Sequence, residues 1–194
     1  SIKLTTRGQE QAALLCDALP ASPQLLVASP YARTVETARP LLRRCPLGLD
    51  IWPIQEFTYL SRDRCEHTTP EQRRPWVQAY WERSDPEHLD GEGAESFAGF
   101  LNRVRAALTR LEDLDAPLVV LFGHGLFMRA ALWQLLTGVT RIDAAAMRAF
   151  RSFQFGVAVP NTAIIRLWLE AGRAPRIGPL SVAHLPPHLV SGGA

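Results

Sequence analysis

Three positions carry residue types suited to holding an anion or moving a proton: Arg33, Glu56 and His124. His124 stands between Gly123 and Gly125, where the apolar run Pro117 to Phe122 gives way to the helical pattern LFMRAALWQLLTG. A strand-to-helix turn of this kind presents the first N–H groups and the positive dipole end of a helix, and flanking glycines let a ligand approach the backbone closely. An imidazolium there adds charge to an anion site. Arg33 follows Ser29 and Pro30, a cap residue and a first-turn proline that mark a helix start, so its guanidinium can fold back toward the strand ends and clamp a phosphate. Glu56 lies among apolar neighbours in IQEFTYL, where partial desolvation raises a carboxyl above the ~4.3 of a free Glu and suits it to donate a proton near neutral pH. Each residue also has a plainer reading. These are a cap or core histidine, a solvated arginine in an arginine-rich chain, and a strand-end glutamate that meets water or an arginine.

The elements that must position these residues alternate. Thr6 and Gln9 have the spacing of a capping box over a helix carrying Leu14, Leu15 and Leu19. A strand is expected over Gln24 to Ala28, a helix capped by Ser29, and a second strand over Ile51 to Phe57. From Thr58 to about Gly93 the pattern changes to a helical insertion over the site, a lid, in which PEQRRPWVQAYWERSD forms one helix interrupted or restarted near Pro75. Arg62, Arg64, Arg73, Arg74 and Arg83, with Trp76 and Trp81, are its candidate substrate contacts. Phe97, Phe100, Leu101, Val104, Leu108 and Leu111 then fall on one helical stripe. A buried strand over Pro117 to Phe122 leads through GHG to a helix closed by Gly138. FGVAVPNTAIIRLWLE supplies one or two late strands, and the tail from Ala174 is expected to wrap the surface. Such alternation implies an α/β fold, a three-layer α/β/α sandwich with a mostly parallel sheet, in which ligands bind at the carboxyl ends of the strands.

The chain has 194 residues, enough for one domain with an insertion. Its net charge of +2 is too small for a nucleic-acid binder, and Lys3 is the only lysine beside many arginines. Cys16, Cys45 and Cys65 have neither zinc-site spacing nor the density of a disulfide scaffold, so a reducing, cytoplasmic setting is expected. No apolar run approaches the ~20 residues that span a bilayer, so no membrane partner is expected. The adjacent Cys65, Glu66 and His67 are poorly spaced to converge on a zinc ion, and no metal or cofactor is expected.

In this order the segments resemble the histidine phosphatase superfamily, the phosphoglycerate mutase-like family. LTTRGQEQA resembles its "LTxxGxxQA" helix, VASPYARTVETARPL its "SSPxxRTxxTA" segment and IQEF the strand end with the acidic residue. EGAESFAGFLNRV resembles "GESxxxxxxRV", VVLFGHGLFMRAAL resembles "VVxHGxxxRxxL", and PNTAIIRL the closing "PNxxxxxL" strand. The resemblance implies that His124 is the second histidine of a phosphate pocket, Arg33 its second arginine, and Glu56 the proton donor to the leaving oxygen and later the base for water.

The family's nucleophile is a histidine in an "RHG" or "RHA" motif that ends the first strand, ahead of the "LTxxG" helix. No such motif stands at or after Ser1, and His67, His88, His184 and His188 lie in other contexts. An upstream strand with an RHG-like turn is therefore expected before Ser1. The implied activity is metal-independent hydrolysis of a small phosphomonoester through a phosphohistidine. The alternatives are mutase-like phosphoryl transfer in the same pocket and a noncatalytic phospholigand-binding module.

Overall fold

The computed structural model describes residues 3–19, 22–170 and 172–192. In chain order its elements are α1 (Thr6–Ala18), β1 (Leu25–Ala28), α2 (Ala32–Arg44), β2 (Asp50–Ile51), α3 (Arg62–Cys65), α4 (Pro70–Arg83), α5 (Phe97–Glu112), β3 (Val119–Phe122), α6 (Gly125–Thr137), α7 (Ala144–Gly156), β4 (Leu167–Trp168) and β5 (Arg176–Ile177).

The sheet runs β2-β1-β3, all parallel, with Leu25 opposite Val119 and Ala28 opposite Phe122. Alternate side chains of these strands point to opposite faces, and both faces are covered. On one face Leu26, Ala28, Val120 and Phe122 pack with Leu15 and Cys16 of α1 and Ala38 and Leu41 of α2. On the other, Val27 joins Phe100, Leu101 and Val104 of α5, Phe127 and Ala130 of α6, and Phe150 of α7, with Leu25, Val119 and Leu121 against them. The chain is thus a three-layer α/β/α sandwich.

The stripe on α5 is buried as its spacing requires, with Phe97, Phe100, Leu101 and Val104 fully enclosed. Gly138 closes α6 in the left-handed conformation (φ 60°) that its lack of a Cβ permits. Several local expectations need correction. The cap of α1 is Thr5, whose hydroxyl accepts from Gly8 N at 3.2 Å, rather than Thr6. The cap of α2 is Tyr31, with no side-chain bond, because Ser29 turns inward and is fully buried. The strand expected over Ile51 to Phe57 is limited to Asp50–Ile51, with Trp52 N also bonded to the Ala28 carbonyl at 2.9 Å; Pro53 has no N–H for a ladder, and residues 53–59 belong to no strand. α4 neither breaks nor restarts at Pro75, since the Thr69–Gln72 capping box and the burial of Tyr80 and Trp81 hold it as one helix. Of the one or two late strands expected in FGVAVPNTAIIRLWLE, the segment holds β4, which pairs with β5 in a separate antiparallel ribbon. α7 answers no sequence expectation.

The C-terminal tail does more than wrap the surface. Leu185 and Leu189 are buried, and the buried amide of Gln11 donates to the Leu189 carbonyl at 2.7 Å and to Ser191 Oγ at 3.0 Å. Arg7 adds bonds to the carbonyls of His188 (2.6 Å) and Val190 (3.3 Å). α1 is strapped by the last residues of the chain.

Phe100 sits where α5 meets the segment carrying Glu56, stacked on Phe57 with ring centroids 4.3 Å apart. Phe100→Ala should lower stability by about 3–5 kcal/mol, since a fully buried aromatic leaves a cavity that the neighbours fill only in part. Urea unfolding measures this loss.

Candidate active site

The register of β1 against β3 brings two turns to one level. Ser29 follows Ala28 and donates its N–H to the Phe122 carbonyl (3.2 Å), so the start of the segment leading to α2 and the Gly123–Gly125 turn emerge side by side. His124 is the N-cap residue of α6 by backbone, its carbonyl accepting from Met128 N, yet its side chain makes no cap bond. The plain reading of a capping histidine therefore fails. The ring is buried and bonded at both nitrogens: Arg33 Nη2 lies 2.8 Å from Nδ1, and Ser29 Oγ lies 2.7 Å from Nε2.

A guanidinium can only donate, so Nδ1 is the acceptor and the ring proton sits on Nε2, donated to Ser29. Ser29 Oγ also lies 2.8 Å from Thr34 Oγ1, which can donate to the Tyr31 carbonyl at 2.8 Å. The edge of the imidazole meets the Tyr31 ring at 5.2 Å, and Arg33 lies over that ring at 5.0 Å. Burial, then the nearby Arg33 and Arg103 charges, lower the His124 pKa to about 3. In this arrangement the histidine is neutral.

Glu56 reaches the same place from the loop after β2. Its Oε1 accepts from Leu126 N at 3.0 Å and Phe57 N at 3.3 Å, so the anion held at the start of α6 is this carboxylate. Burial raises its pKa, while these N–H groups and the Arg33 charge oppose the rise. Arg129, buried on α6, donates from Nε to the Val157 carbonyl at 2.6 Å and interacts electrostatically with Glu56. A Cβ on Gly125 would stand 3.3 Å from Arg129 Nη1, so the turn also gives that arginine room.

Arg33, Glu56, His124 and Arg129 all line one cleft of about 870 Å³, whose walls are Pro117 to Gly125 on one side and Val159 to Trp168 on the other. The three residues singled out from the sequence are thus brought together. Ser29 and Arg129 were missed: Ser29 because Ser-Pro is also a cap signal, and Arg129, although it falls on the Arg of the "VVxHGxxxRxxL" pattern, because that match says nothing of its contacts. The insertion's arginines are engaged mainly within their own segment, Arg64 with Asp90 (2.8 Å) and over the Trp76 ring, Arg73 with the Thr69 carbonyl and Arg83 with His88. Among the described residues no three His, Cys, Asp or Glu side chains are placed to hold a metal ion. No helix among them is long and apolar enough to cross a membrane.

A parallel sheet with two arginines, a histidine and a buried carboxyl gathered in a cleft at its strand ends defines an α/β protein with a charged cleft at the place where such folds bind ligands. Residues 1–173 match the family model of the histidine phosphatase superfamily (branch 1), and the chain belongs to that superfamily. Its fold is similar to that of the phosphoserine phosphatase of Entamoeba histolytica, solved in complex with 3-phosphoglyceric acid, at 18% identity and TM-score 0.70 over 95% of this chain and 87% of that one. It is also similar to the mycobacterial glucosyl-3-phosphoglycerate phosphatase, at 22% identity and TM-score 0.64 over 93% and 86% of the two chains. The alpha-ribazole phosphatase of Shigella flexneri matches at 24% identity and TM-score 0.58 over 74% and 70%. No curated protein matches the chain.

The neutral state of His124 has a measurable consequence. The unfolded chain protonates this histidine below its ordinary value of 6.5, whereas the folded one resists down to about pH 3. Between those values the unfolded state binds more protons, so stability falls as pH falls. From pH 6.5 to 5 the loss from this group is roughly 1.5 kcal/mol. Urea unfolding of the wild type and His124→Gln in phosphate-free buffer should show a correspondingly shallower decline in the variant, and equal declines would mean that His124 takes up its proton equally in the folded and unfolded chains.

Proposed function

We propose that the protein is a metal-independent phosphomonoester hydrolase that works through a phosphohistidine. The observation that carries this reading is the meeting of Arg33, His124 and Glu56 in one cleft at the carboxyl ends of β1 and β3. The names of its structural neighbours as phosphatases agree with it. An entering phosphate offers Arg33 a stronger acceptor than Nδ1 of His124. The arginine turns to the phosphoryl oxygens, and the released Nδ1 takes a proton and becomes a second donor to them. Both charges then gather on the oxygens where transition-state charge spreads.

A nucleophilic histidine ahead of Ser1 forms the N–P bond as the P–O bond breaks, and protonated Glu56 gives its proton to the departing alkoxide. Glu56 then takes a proton from water, whose oxygen attacks phosphorus and releases the histidine. The cleft supports that placement. Among the described residues β3 is an edge strand, and the cleft runs beside it to His124 with Lys3, Leu4 and Thr5 also along its lining. A further strand paired to β3 would end next to the imidazole.

The full-length protein is expected to hydrolyse a generic aryl phosphate at mildly acidic pH, equally with and without chelator. His124→Ala should lower kcat by about 10²–10³-fold and Glu56→Gln by about 10²–10⁴-fold. Phosphate binding without turnover would make the protein a binding module instead. Transfer of the phosphoryl group to a second alcohol in preference to water would make it a mutase. Residues 58–93 contribute nothing to the lining of the cleft, so a role for them as a lid over the substrate requires that they close on it; in that case replacing Arg73 and Arg74 together with Ala raises KM for an anionic substrate and leaves kcat unchanged.

A further inference from the structure

Glu56 rides on backbone that has almost no secondary structure of its own. From Trp52 to Tyr59 the chain is neither strand nor helix, and Ile54 N bonds only back to the Trp52 carbonyl, at 2.8 Å. The buried side chains of Trp52, Ile54 and Phe57 anchor this segment, and its peptide units are held in addition from α5. Arg103 Nη1 donates to the carbonyls of Pro53 and Gln55, both at 2.9 Å, and the Gln55 carbonyl belongs to the peptide unit that supplies the nitrogen of Glu56. The rest of the guanidinium is taken up by Glu95, with Nε to Oε1 at 2.8 Å and Nη2 to Oε2 at 2.6 Å. Glu95 in turn donates its own N–H to the Thr58 carbonyl at 2.8 Å, two residues beyond Glu56.

The pair is largely enclosed, its side chains 12% and 23% exposed, and Arg103 lies over the Phe100 and Phe127 rings at 5.3 and 5.8 Å. A buried pair of this kind adds little net stability, because desolvation offsets most of the attraction. What a bidentate fork does supply is geometry. We propose that Arg103, oriented by Glu95, is a positioning residue for Glu56, gripping the backbone just before it while the Glu95 N–H holds the Thr58 carbonyl beyond it, so that its carboxyl is held at the cleft. This inference rests on the reading of Glu56 as the proton-transfer group.

The groups that act on the Glu56 carboxyl are Arg33 from α2, Arg129 from α6, Tyr59 from its own segment, and the N–H groups of Phe57, Leu126 and Phe127. Arg103 bonds the carbonyls behind it instead. Its effect should therefore appear as loss of aim and of burial rather than as loss of a charge partner.

Arg103→Lys keeps the charge but loses the fork, and Glu95→Gln keeps the shape but loses the ion. Each is expected to lower kcat roughly 10- to 100-fold with KM nearly unchanged, the size of a small misplacement of a reacting group. In a Glu56→Gln background neither should lower kcat further. Titration of the Glu56 carboxyl by ¹³C NMR should move down toward its ordinary 4.5 as the group swings into water. Losses that persist undiminished in the Glu56→Gln background, or a Glu56 titration that does not move, would overturn the proposal. If Arg103→Lys fails to fold, Glu95→Gln carries the test. If the wild type turns over no phosphate ester, the hydrolase reading fails while the NMR titration still decides the clamp.

Discussion

The bond from the Arg33 guanidinium to Nδ1 of His124 ties together the two turns on which the site is built. It forms because β1 and β3 are paired so that Ser29 and Gly123 leave the sheet side by side. It also decides the chemistry of the ring, since a permanent donor on Nδ1 leaves Nε2 to carry the proton and obliges Ser29 to receive it. The serine, the threonine behind it and the tyrosine ring beside it then have defined tasks. A slip of one residue between the strands would turn Ser29 away from the imidazole and expose an apolar face of the sheet.

Against this cationic side stands a carboxyl that already occupies the N-terminal end of α6. The helix dipole is thus directed first at Glu56 and only indirectly at a ligand. Two opposing influences meet on that group. Burial favours the protonated form, while the Leu126 and Phe57 N–H groups and Arg33 favour the ionised one. Burial is the stronger influence, so the carboxyl's pKa lies above its ordinary value. His124 is treated differently, with burial and arginine charge acting in the same direction.

The layered fold was legible because apolar periodicity is dictated by burial. Phe97, Phe100, Leu101 and Val104 mark a helix, and VVLF before GHG marks a strand that turns into one. Arg33 and His124 were legible as residues beside strand ends, whereas Glu56 stands in the loop beyond β2, and the resemblance set the three in order. What escaped notice depends on contacts across the fold. Ser29 looks like a cap until β3 places a histidine against it. Glu95 and Arg103 fall on the Glu and Arg of the "GESxxxxxxRV" pattern, but what the pair holds shows only once the Pro53–Thr58 segment lies against it. The extra pairing expected along Ile51 to Phe57 was lost to Pro53. α7 mixes Ala146, Met147 and Phe150 with the polar Gln154 on its buried side, which blurs its stripe.

The strap between α1 and the C-terminal tail bears on how the chain is made. Gln11 is enclosed and finds its hydrogen-bond partners at Leu189 and Ser191, residues close to the end of the sequence. During synthesis the sheet and the helices of its other face can assemble while α1 still lacks those partners, because domains fold from the N-terminus as they emerge. α1 therefore gains these partners only after the segment around Leu189 has been made.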